Sequence, residues 1–282
     1  MALPVTRVLT LLAQHGTERY ANARELLLEM MHNNMPDTRQ HIVVVDNSLD
    51  SDVRKVDGEG IEIIGASNND WEFSAWDIGI DYVRPMLENF DLVLLATSAF
   101  NRYDPKHLSL IGDAMLRWQV GKPVALGHID FFNDPVECLN TTLQAWLRSS
   151  FILAPPELLT QLGSLVSIEG SVPLFSGHAH APFSEDAPIS RNYQRYLLGW
   201  LTGHGTDQGI EWHSRFDLNS ESLPLFESKA KAILNEQMMT QRLVSCGCKI
   251  ADISWLAGKL RSDPKALLDD VPGWQIQLAS RV

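Results

Sequence analysis

The stretch HIVVVDNSLD, residues 41–50, joins a run of apolar, mostly β-branched residues to an abrupt polar end. A continuous apolar run of this length is typical of a strand that is buried on both faces. Asp46, Asn47 and Ser48 are residues that favour a turn, because their side chains bond readily to the nearby backbone. Three other runs, 5–12, 60–65 and 91–98, follow the same design. A buried strand followed by a polar loop is therefore the recurring unit of the first half.

Helical spacing of apolar residues separates these strands. Residues 20–31, 73–87 and 107–119 each carry apolar side chains three and four positions apart, and a further strand is predicted over 123–126. Strands and helices that alternate in this way predict an α/β fold with a mostly parallel sheet and helices on both of its faces.

The second half has a less regular pattern. It predicts a helical C-terminal subregion, with a long polar loop over 166–190 that is typical of a lid or binding loop. The predicted elements are helices over 139–148, 156–165, 188–201, 226–243 and 252–260, and a strand over 151–154. Neither repeats nor an obvious linker divide the chain. We therefore expect a single domain over 1–282, with halves at 1–135 and 136–282.

The charge balance narrows the classes of partner. The 282 residues include 23 Lys and Arg against 35 Asp and Glu, a formal net charge of −12. Nucleic acid rewards clustered cations, so a nucleic-acid partner is not expected. Three cysteines suggest reduced thiols, and no apolar run approaches the roughly 20 residues that cross a bilayer. The sequence predicts a cytoplasmic protein; its oligomeric state is left open.

The most common nucleotide and esterase motifs are missing. The sequence has no Walker loop, no G-x-G-x-x-G after a strand and no G-x-S-x-G elbow. In parallel sheets, ligands bind beyond the carboxyl ends of the strands. Four polar loops follow predicted strands, at 46–47, 67–70, 97–102 and 127–130. These loops are the expected binding site.

Five segments then occur in a recognisable order. They are VVVDNSLD (43–50), NNDWEFSAWDIGIDY (68–82), FDLVLLATSAFNRYDP (90–105), VALGHIDFF (124–132) and LQAWLRSSFILAPPEL (143–158). In this order, over about residues 5–165, the chain resembles the GT-A-type glycosyltransferases, and within them the rhamnan-synthesis-F-like group of bacterial surface-polysaccharide enzymes. In such proteins the first strand ends in Asp or Asn near the donor base, and a segment N-x-G-x-[DE]-[FW]-x-A-[WY] follows it.

The resemblance implies a transferase that moves a sugar from a nucleotide-sugar donor to a glycan or lipid-linked acceptor, with residues 1–135 binding the donor and 136–282 lying on the acceptor side. A lipid-linked acceptor would imply a peripheral contact with the inner membrane. The implied donor-binding residues are Asp46, Asn47, Asn68, Asn69, Thr97, Ser98 and Arg102.

Two departures from the family pattern bear on this reading. Asp70 or Asn69 stands where the segment usually has glycine. The D-x-D that would hold Mg²⁺ or Mn²⁺ against the donor diphosphate reads Ala96-Thr97-Ser98. A metal-independent enzyme, another acid such as Asp104 or Asp130, and loss of catalysis all remain open.

Candidate catalytic and phosphate-side residues lie later in the chain. Glu185 and Asp186 stand just before a predicted helix, where inverting members of such families often carry the base that deprotonates the acceptor. Asp130 is a further candidate for base, metal ligand or acceptor contact. The phosphate or acceptor side is assigned to Arg191, Arg195, His213 and Arg215, with Arg102 and Lys106 near the predicted donor site.

Two alternatives complete the interpretation. A degenerate GT-A domain would bind nucleotide or glycan without turnover, within an assembly complex. A metallohydrolase would instead use His178, His180 and His213 with nearby acids, because paired imidazoles are common zinc ligands.

Overall fold

The computed structural model describes residues 5–103, 105–206, 208, 214–262 and 270–281, and the fold is described for these residues. Two predicted site residues, Asp104 and His213, lie outside them. The strands are β1 (Arg7–Gln14), β2 (Arg39–Asp46), β3 (Arg54–Val56), β4 (Glu62–Gly65), β5 (Leu92–Thr97), β6 (Val124–Cys138), β7 (Thr141–Ala154) and β8 (Lys249–Asp252). They form one sheet in the order β3-β4-β2-β1-β5-β7-β6-β8.

Helices connect most of these strands and make up much of the second half of the chain. They are α1 (Ala23–Asn34), α2 (Trp71–Val83), α3 (Phe100–Tyr103), α4 (Pro105–Leu108), α5 (Asp113–Gln119), α6 (Pro156–Leu162), α7 (Arg191–Thr202), α8 (Leu223–Ser245), α9 (Ile253–Ser262) and α10 (Trp274–Ala279), with a 3₁₀ helix over Arg84–Asn89. Within the described ranges, no helix combines the length and apolar character needed to span a bilayer.

The predicted sheet type is confirmed. β1 pairs in parallel with β2 and with β5, β2 with β4, and β6 with β8. β3 runs antiparallel to β4, and β7 runs antiparallel to β5. The structure is thus a mixed α/β sheet that is mostly parallel, as the nearly continuous apolar strands predict.

Helices cover both faces of the sheet, because alternate strand residues point in opposite directions. Leu12 and Val44 pack in one cluster with Leu27 of α1. On the other face, a Cβ at Gly79 of α2 would lie 3.0 Å from a methyl of Val45 and 3.2 Å from one of Leu11. The small residue at this position lets α2 lie close against β1 and β2.

The helix predicted over 139–148 is wrong, because these residues belong to a β-hairpin. Leu139 and Asn140 both have positive φ angles, 48° and 61°, which is the geometry of a tight two-residue hairpin turn. β7 starts directly after this turn. Leu143, Trp146 and Leu147 also fit a helical spacing, so local periodicity could not distinguish the two structures.

Other elements differ in extent from the prediction. The strand predicted over 123–126 continues to Cys138, so Asp130 lies within β6 rather than in a loop. The helix predicted over 107–119 is interrupted over 109–112, between α4 and α5. The short β3, β8 and α10 were not predicted, since pieces of this length carry little periodic signal.

The chain divides into two compact units. The first comprises residues 1–129, 147–165 and 242–282, and the second comprises 130–146 and 166–241. The first unit contains the parallel strands described above. The second has its own apolar core, in which Phe132, Trp146, Tyr193 and Tyr196 pack ring against ring. The single domain over 1–282, with halves at 1–135 and 136–282, stays a prediction.

A hydrogen-bonded ion pair, Asp252–Arg281, joins the C-terminal part of the first unit to β6. Asp252 is fully buried, and its Oδ2 accepts hydrogen bonds from the Ile129 N–H (3.1 Å) and from Arg281 (2.6 Å). Its Oδ1 accepts from the first N–H groups of α9, at Ser254 and Trp255. Burial alone would raise the pKa of Asp252, but Arg281 and the backbone donors hold this pKa below its usual value.

Asp252→Asn should therefore lower the free energy of unfolding by about 3 kcal/mol at neutral pH, because it leaves Arg281 without its buried carboxylate. The folded pKa lies below the unfolded pKa, so the contribution of Asp252 is complete at neutral pH and is lost as the pH falls below about 4. Urea unfolding of both proteins between pH 7 and pH 3 measures the difference, which should shrink toward acid pH.

Asp81→Asn is the matched control, since Asp81 is exposed and pairs with Arg84 at the surface. It should change stability by less than about 0.5 kcal/mol. A loss in Asp252→Asn that is independent of pH would contradict the role given to the carboxylate.

Candidate functional site

The carboxyl ends of four parallel strands in the first unit lie level with one another. Gln14 of β1 pairs with Asp46 of β2, Asp46 pairs with Gly65 of β4, and Ala13 pairs with Thr97 of β5. The chain leaves β1 through α1 toward β2 and β4, and then crosses back through α2 to β5 on the other side of β1. Such a reversal opens a crevice at the strand ends, which is where parallel α/β sheets bind ligands.

Asp46 organises this edge of the sheet. Its Oδ2 accepts a hydrogen bond from Gln14 Nε2 (2.7 Å), and its Oδ1 accepts from the N–H groups of Gly16 (3.0 Å) and Ser48 (2.9 Å) and from Ser48 Oγ (2.6 Å). Burial would raise the pKa of Asp46, but these bonds outweigh it and hold the pKa below its usual value. The ionised carboxylate thus ties together the loops that follow β1 and β2.

The loop after β2 folds back closely onto β4. Gly65 N–H donates to the Val53 carbonyl (3.0 Å), and a Cβ at Gly65 would lie only 1.8 Å from the Asp50 carbonyl oxygen. No side chain fits there, so glycine is required for the close approach of the two backbones. This contact fixes the far side of the predicted donor loop.

Asn47 links the β2 exit to the start of α2. Its Nδ2 donates to Asn68 Oδ1 (3.1 Å) and to the Trp71 carbonyl (2.9 Å). Its own Oδ1 is buried and accepts no hydrogen bond from the described residues. Leaving such an acceptor unpaired costs about 1–3 kcal/mol, so this oxygen calls for a functional explanation. Of the predicted donor-binding residues, Asn47 and Asn68 are therefore in direct contact.

The backbone between Asn68 and α2 is strained at one residue. Trp71 has a left-handed backbone conformation, with φ 54°, although it is a bulky residue. This conformation costs on the order of 1–3 kcal/mol and is held by the bond from Asn47. Asp70, in contrast, has φ −132°, so an aspartate is accommodated where the resembling segment has glycine. The unfavourable positive φ angle therefore occurs at Trp71, one residue after Asp70, where α2 begins.

Glu72, which the prediction did not include, lies beside this strained residue. Its Oε1 accepts a hydrogen bond from Ser149 Oγ (2.6 Å). Phe151 of antiparallel β7 pairs with Ala96 of β5, so Ser149, two residues before Phe151, lies past the carboxyl end of β5. Glu72 is half-buried, and burial raises its pKa despite the bond from Ser149. The sequence signal that could have identified Glu72 is its position as the acidic residue of the N-x-G-x-[DE] pattern.

Thr97 ends β5 and Ser98 follows it directly, close to the predicted strand end, and both are buried. Ser98 N–H donates to the Ala13 carbonyl (2.9 Å), which places it between the exits of β5 and β1. Magnesium and manganese prefer charged oxygen ligands, but these two residues offer only neutral hydroxyls. Asp46 already accepts four hydrogen bonds, three at Oδ1 and one at Oδ2, and over the described ranges no group of three or more His, Cys, Asp or Glu side chains could hold a metal ion. The described residues at this edge therefore do not fit a divalent metal.

The remaining predicted residues are distributed over both units. Arg102 is exposed in α3 of the first unit, one short turn after Ser98, and Asn69 is exposed next to Asn68. Those of the second unit are Asp130, Glu185, Asp186, Arg191, Arg195 and Arg215. Glu185 and Asp186 are exposed shortly before α7, as predicted. Arg191 and Arg195 line a pocket described below.

The predicted histidine pair of the metallohydrolase alternative lies in the second unit. The rings of His178 and His180 stack with their centroids 5.7 Å apart. Over the described ranges of the chain, no group of three or more His, Cys, Asp or Glu side chains is arranged to hold a metal ion. The structure of these residues gives the metallohydrolase hypothesis no support.

Comparison with known proteins gives limited information. No protein-family model and no curated protein matches the sequence. Among solved structures, the mannosyltransferase PcManGT from Pyrobaculum calidifontis, solved in complex with GDP-Man and Mn²⁺, is similar over 98% of this chain and 85% of its own. The identity is 10% and the TM-score 0.34. A similarity of this size establishes neither a family nor an activity, so the function is inferred from the site itself.

The free energy of unfolding of the Glu72→Gln variant should increase relative to that of the natural protein as the pH rises. The folded pKa of Glu72 lies above its unfolded value, so its stabilising contribution is present at acid pH and is lost as the pH rises through the folded pKa. Glutamine is neutral and can still accept from Ser149, so it avoids that loss. Urea unfolding between pH 4 and pH 8 measures the difference.

Glu88→Gln is the control, because Glu88 is an exposed carboxylate of the same unit. Its effect on stability should not follow the trend of Glu72→Gln. A stability difference for Glu72→Gln that does not change with pH would show that Glu72 titrates alike in the folded and unfolded protein, and would contradict the raised pKa.

Proposed function

We propose that this protein is a glycosyltransferase, which moves a sugar from a nucleotide-sugar donor to a hydroxyl of a glycan or lipid-linked acceptor in bacterial surface-polysaccharide synthesis. The observation that carries the proposal is the arrangement of Asn47, Asn68 and Trp71 at the carboxyl edge where the chain reverses direction. Amide groups at such an edge recognise neutral hydrogen-bonding ligands, and a nucleoside is a ligand of this kind.

Asn47 has the clearest proposed role in the site. Its buried Oδ1 has no partner among the described residues and would accept from an N–H group of a nucleobase once donor binding exposes it, while its Nδ2 stays bonded to Asn68 and Trp71. Asp46 would act indirectly, by holding the two loops, because its oxygens are already used.

The donor diphosphate needs other partners, since the described residues do not fit a bridging metal. Thr97 and Ser98 would donate hydroxyl groups, and Arg102 would supply a guanidinium that can bond a phosphate through paired N–H groups. We propose these three residues as the phosphate side of the donor site, with Asn69 near the ribose.

The transfer itself requires one carboxylate to take a proton. The acceptor oxygen attacks the anomeric carbon, the carbon–oxygen bond to the diphosphate breaks, and the nucleoside diphosphate leaves with the electron pair. The hydroxyl proton passes to a base, for which Asp186 is our candidate and Glu185 and Asp130 the alternatives. Arg191, Arg195 and Arg215 are proposed to bind the acceptor. A single displacement of this kind inverts the anomeric centre.

A second candidate function follows from Thr97 and Ser98. Hydroxyls in place of an acidic pair are also what a binding domain without turnover would show. Such a domain would bind the nucleotide sugar or glycan within an assembly complex. Transfer to a lipid-linked glycan, or slow hydrolysis of the donor in the absence of an acceptor, would separate the enzyme from the binding domain.

Nucleotide sugars should raise the melting temperature of the protein, and Asn47→Ala should abolish most of that shift. The substitution removes both the proposed acceptor for the base and the bonds that hold Trp71 in its strained conformation. A thermal-shift screen of UDP-, GDP-, CDP- and dTDP-sugars, each with and without Mg²⁺ or Mn²⁺, measures the effect, since a bound ligand stabilises by mass action.

Asn89→Ala serves as control, because Asn89 is exposed at the end of the 3₁₀ helix. It should keep the full shift. If no nucleotide sugar changes the melting temperature of the natural protein, the donor proposal fails; if Asn47→Ala keeps the full shift, the site lies elsewhere.

Asp186→Asn should lower kcat by roughly 100-fold or more while the donor-induced melting shift stays unchanged, because a general base contributes about 10²–10⁴-fold. Glu185→Gln, one residue away and equally exposed, is the matched variant. A radiolabelled-donor transfer assay measures both. Equal losses in the two variants, or no loss in either, would remove Asp186 from the mechanism.

A further inference from the structure

A pocket of about 370 Å³ lies within the second unit, between one face of α7 and the segment 180–183. The helix contributes Arg191, Gln194, Arg195 and Leu198, which are spaced as one stripe along a helix. The opposite side of α7 carries Tyr193, Tyr196 and Leu197 into the core of the unit. The helix is therefore held by its buried side and presents the arginine-bearing side to the pocket.

The other wall is a loop that is closed by its own hydrogen bonds. Ser176 N–H donates to the Pro182 carbonyl (3.0 Å), and Ser184 N–H donates to the Leu174 carbonyl (3.0 Å). Phe175 and Phe183 pair as a β-bridge, and the ring of Phe183 packs against that of Phe226. The loop is thus anchored on both strands of its turn, so the pocket has two positioned walls.

The charges in the pocket are not balanced by the described residues. Arg191 and Arg195 stand four positions apart on α7, and neither forms an ion pair with a carboxylate in the described part of the chain. Like charges at this spacing destabilise a helix by about 0.2–0.5 kcal/mol. Arg191 is also at the first position of the helix, where a cation is unfavourable. An anion bound between the guanidinium groups would offset both terms.

The rest of the lining is mostly apolar. Ala181, Pro182, Phe183 and Leu198 form the apolar part, and His180 adds an imidazole. Gln194 adds an amide, whose Oε1 accepts a hydrogen bond from Arg191 (3.3 Å) and whose Nε2 donates to the Ile189 carbonyl (3.3 Å). A bare inorganic anion would leave these apolar side chains without a contact. A sugar ring offers apolar C–H faces to Phe183 and Leu198 and hydroxyls to Gln194, and the pocket volume lies in the lower part of the roughly 300–1,000 Å³ range of small-ligand sites.

We propose that this pocket binds an acidic sugar, one that carries a carboxylate or a phosphate, with Arg191 and Arg195 bonding the anionic group and Phe183 and Leu198 contacting the ring. The assignment of this sugar to the acceptor rests on the proposed function; the binding itself does not. It gives the acceptor a chemical class, an anionic glycan, that the acidic composition of the chain alone would not suggest.

The test is direct binding to the full chain, by isothermal titration calorimetry at low salt. The probes are glucuronate, glucose 6-phosphate, neutral glucose and inorganic phosphate. Glucuronate or glucose 6-phosphate should bind at least tenfold more tightly than either glucose or phosphate, and the stronger of the two identifies the anionic group. The affinity should fall with added salt, because exposed charges are screened.

Arg191→Gln/Arg195→Gln should weaken this binding at least tenfold, and Arg195→Gln alone is the fallback if the double variant fails to fold. Arg84→Gln/Arg261→Gln removes two exposed arginines of the first unit and is the matched control. Binding that is equal for charged and neutral sugars, no saturable binding of either acidic sugar, or a double variant that binds as well as the natural protein would overturn the proposal. So would inorganic phosphate that binds as tightly as glucose 6-phosphate, which would show an anion site without a sugar contact.

The nucleotide-sugar melting shift separates this proposal from the proposed function. If the double variant keeps that shift and loses acidic-sugar binding, the pocket is an acceptor-class site. If acidic sugars bind but no nucleotide sugar shifts the melting temperature, the glycosyltransferase proposal fails and the pocket stands. If the double variant loses the nucleotide-sugar shift, the arginines hold the donor and the acidic-sugar assignment is wrong.

Discussion

The carboxylate of Asp46 is the interaction on which the candidate site depends. It sits at the end of β2 with four donors around it, three from the chain that follows β1 and β2 and one from Gln14. Because the charge is met by fixed N–H and O–H groups, the carboxylate stays ionised and holds both loops. Asn47 follows directly, and through it the position of Asn68 and the strained Trp71 depend on the same turn.

A second buried aspartate, Asp252, has a similar role at the β8 edge of the sheet. Asp252 ends β8, which pairs in parallel with β6, and it receives backbone donors together with Arg281. The two residues show how an acidic chain can place negative charge inside the fold without a large cost. Buried carboxylates are stable when hydrogen bonds satisfy all their oxygens, and here the backbone supplies most of these bonds.

The distribution of charge also clarifies how an anionic substrate could bind to a protein with a net charge of −12. The described residues at the carboxyl edge of the first unit offer amides, hydroxyls and a single nearby guanidinium, Arg102, rather than an acidic pair with a metal. The second unit concentrates two guanidinium groups on one face of α7. A few positioned cations are sufficient for local attraction, because screening confines the influence of distant surface acids to roughly 10 Å.

Much of the first half was predictable from the sequence, and the reason is physical. Strands buried on both faces leave continuous apolar runs, and all the residues of Val43–Val45 and Leu92–Leu95 are indeed buried. Asp46 and Asn47 were recognisable because they stop such a run abruptly. Glu72 was missed as a site residue, since a glutamate in a first helical turn commonly serves only the helix dipole.

The sequence by itself determined the α/β class, the parallel strands and the edge at which polar residues gather, because these depend on local patterns of burial. Tertiary structure decided the rest. The residues after Cys138 became the strand β7 rather than a helix because the turn at Leu139 and Asn140 returns the chain alongside β6. Likewise, only the folded chain brings Ser149 to Glu72 and the loop 180–183 to α7, since hydrogen bonds and pocket walls between residues far apart in sequence leave no local pattern.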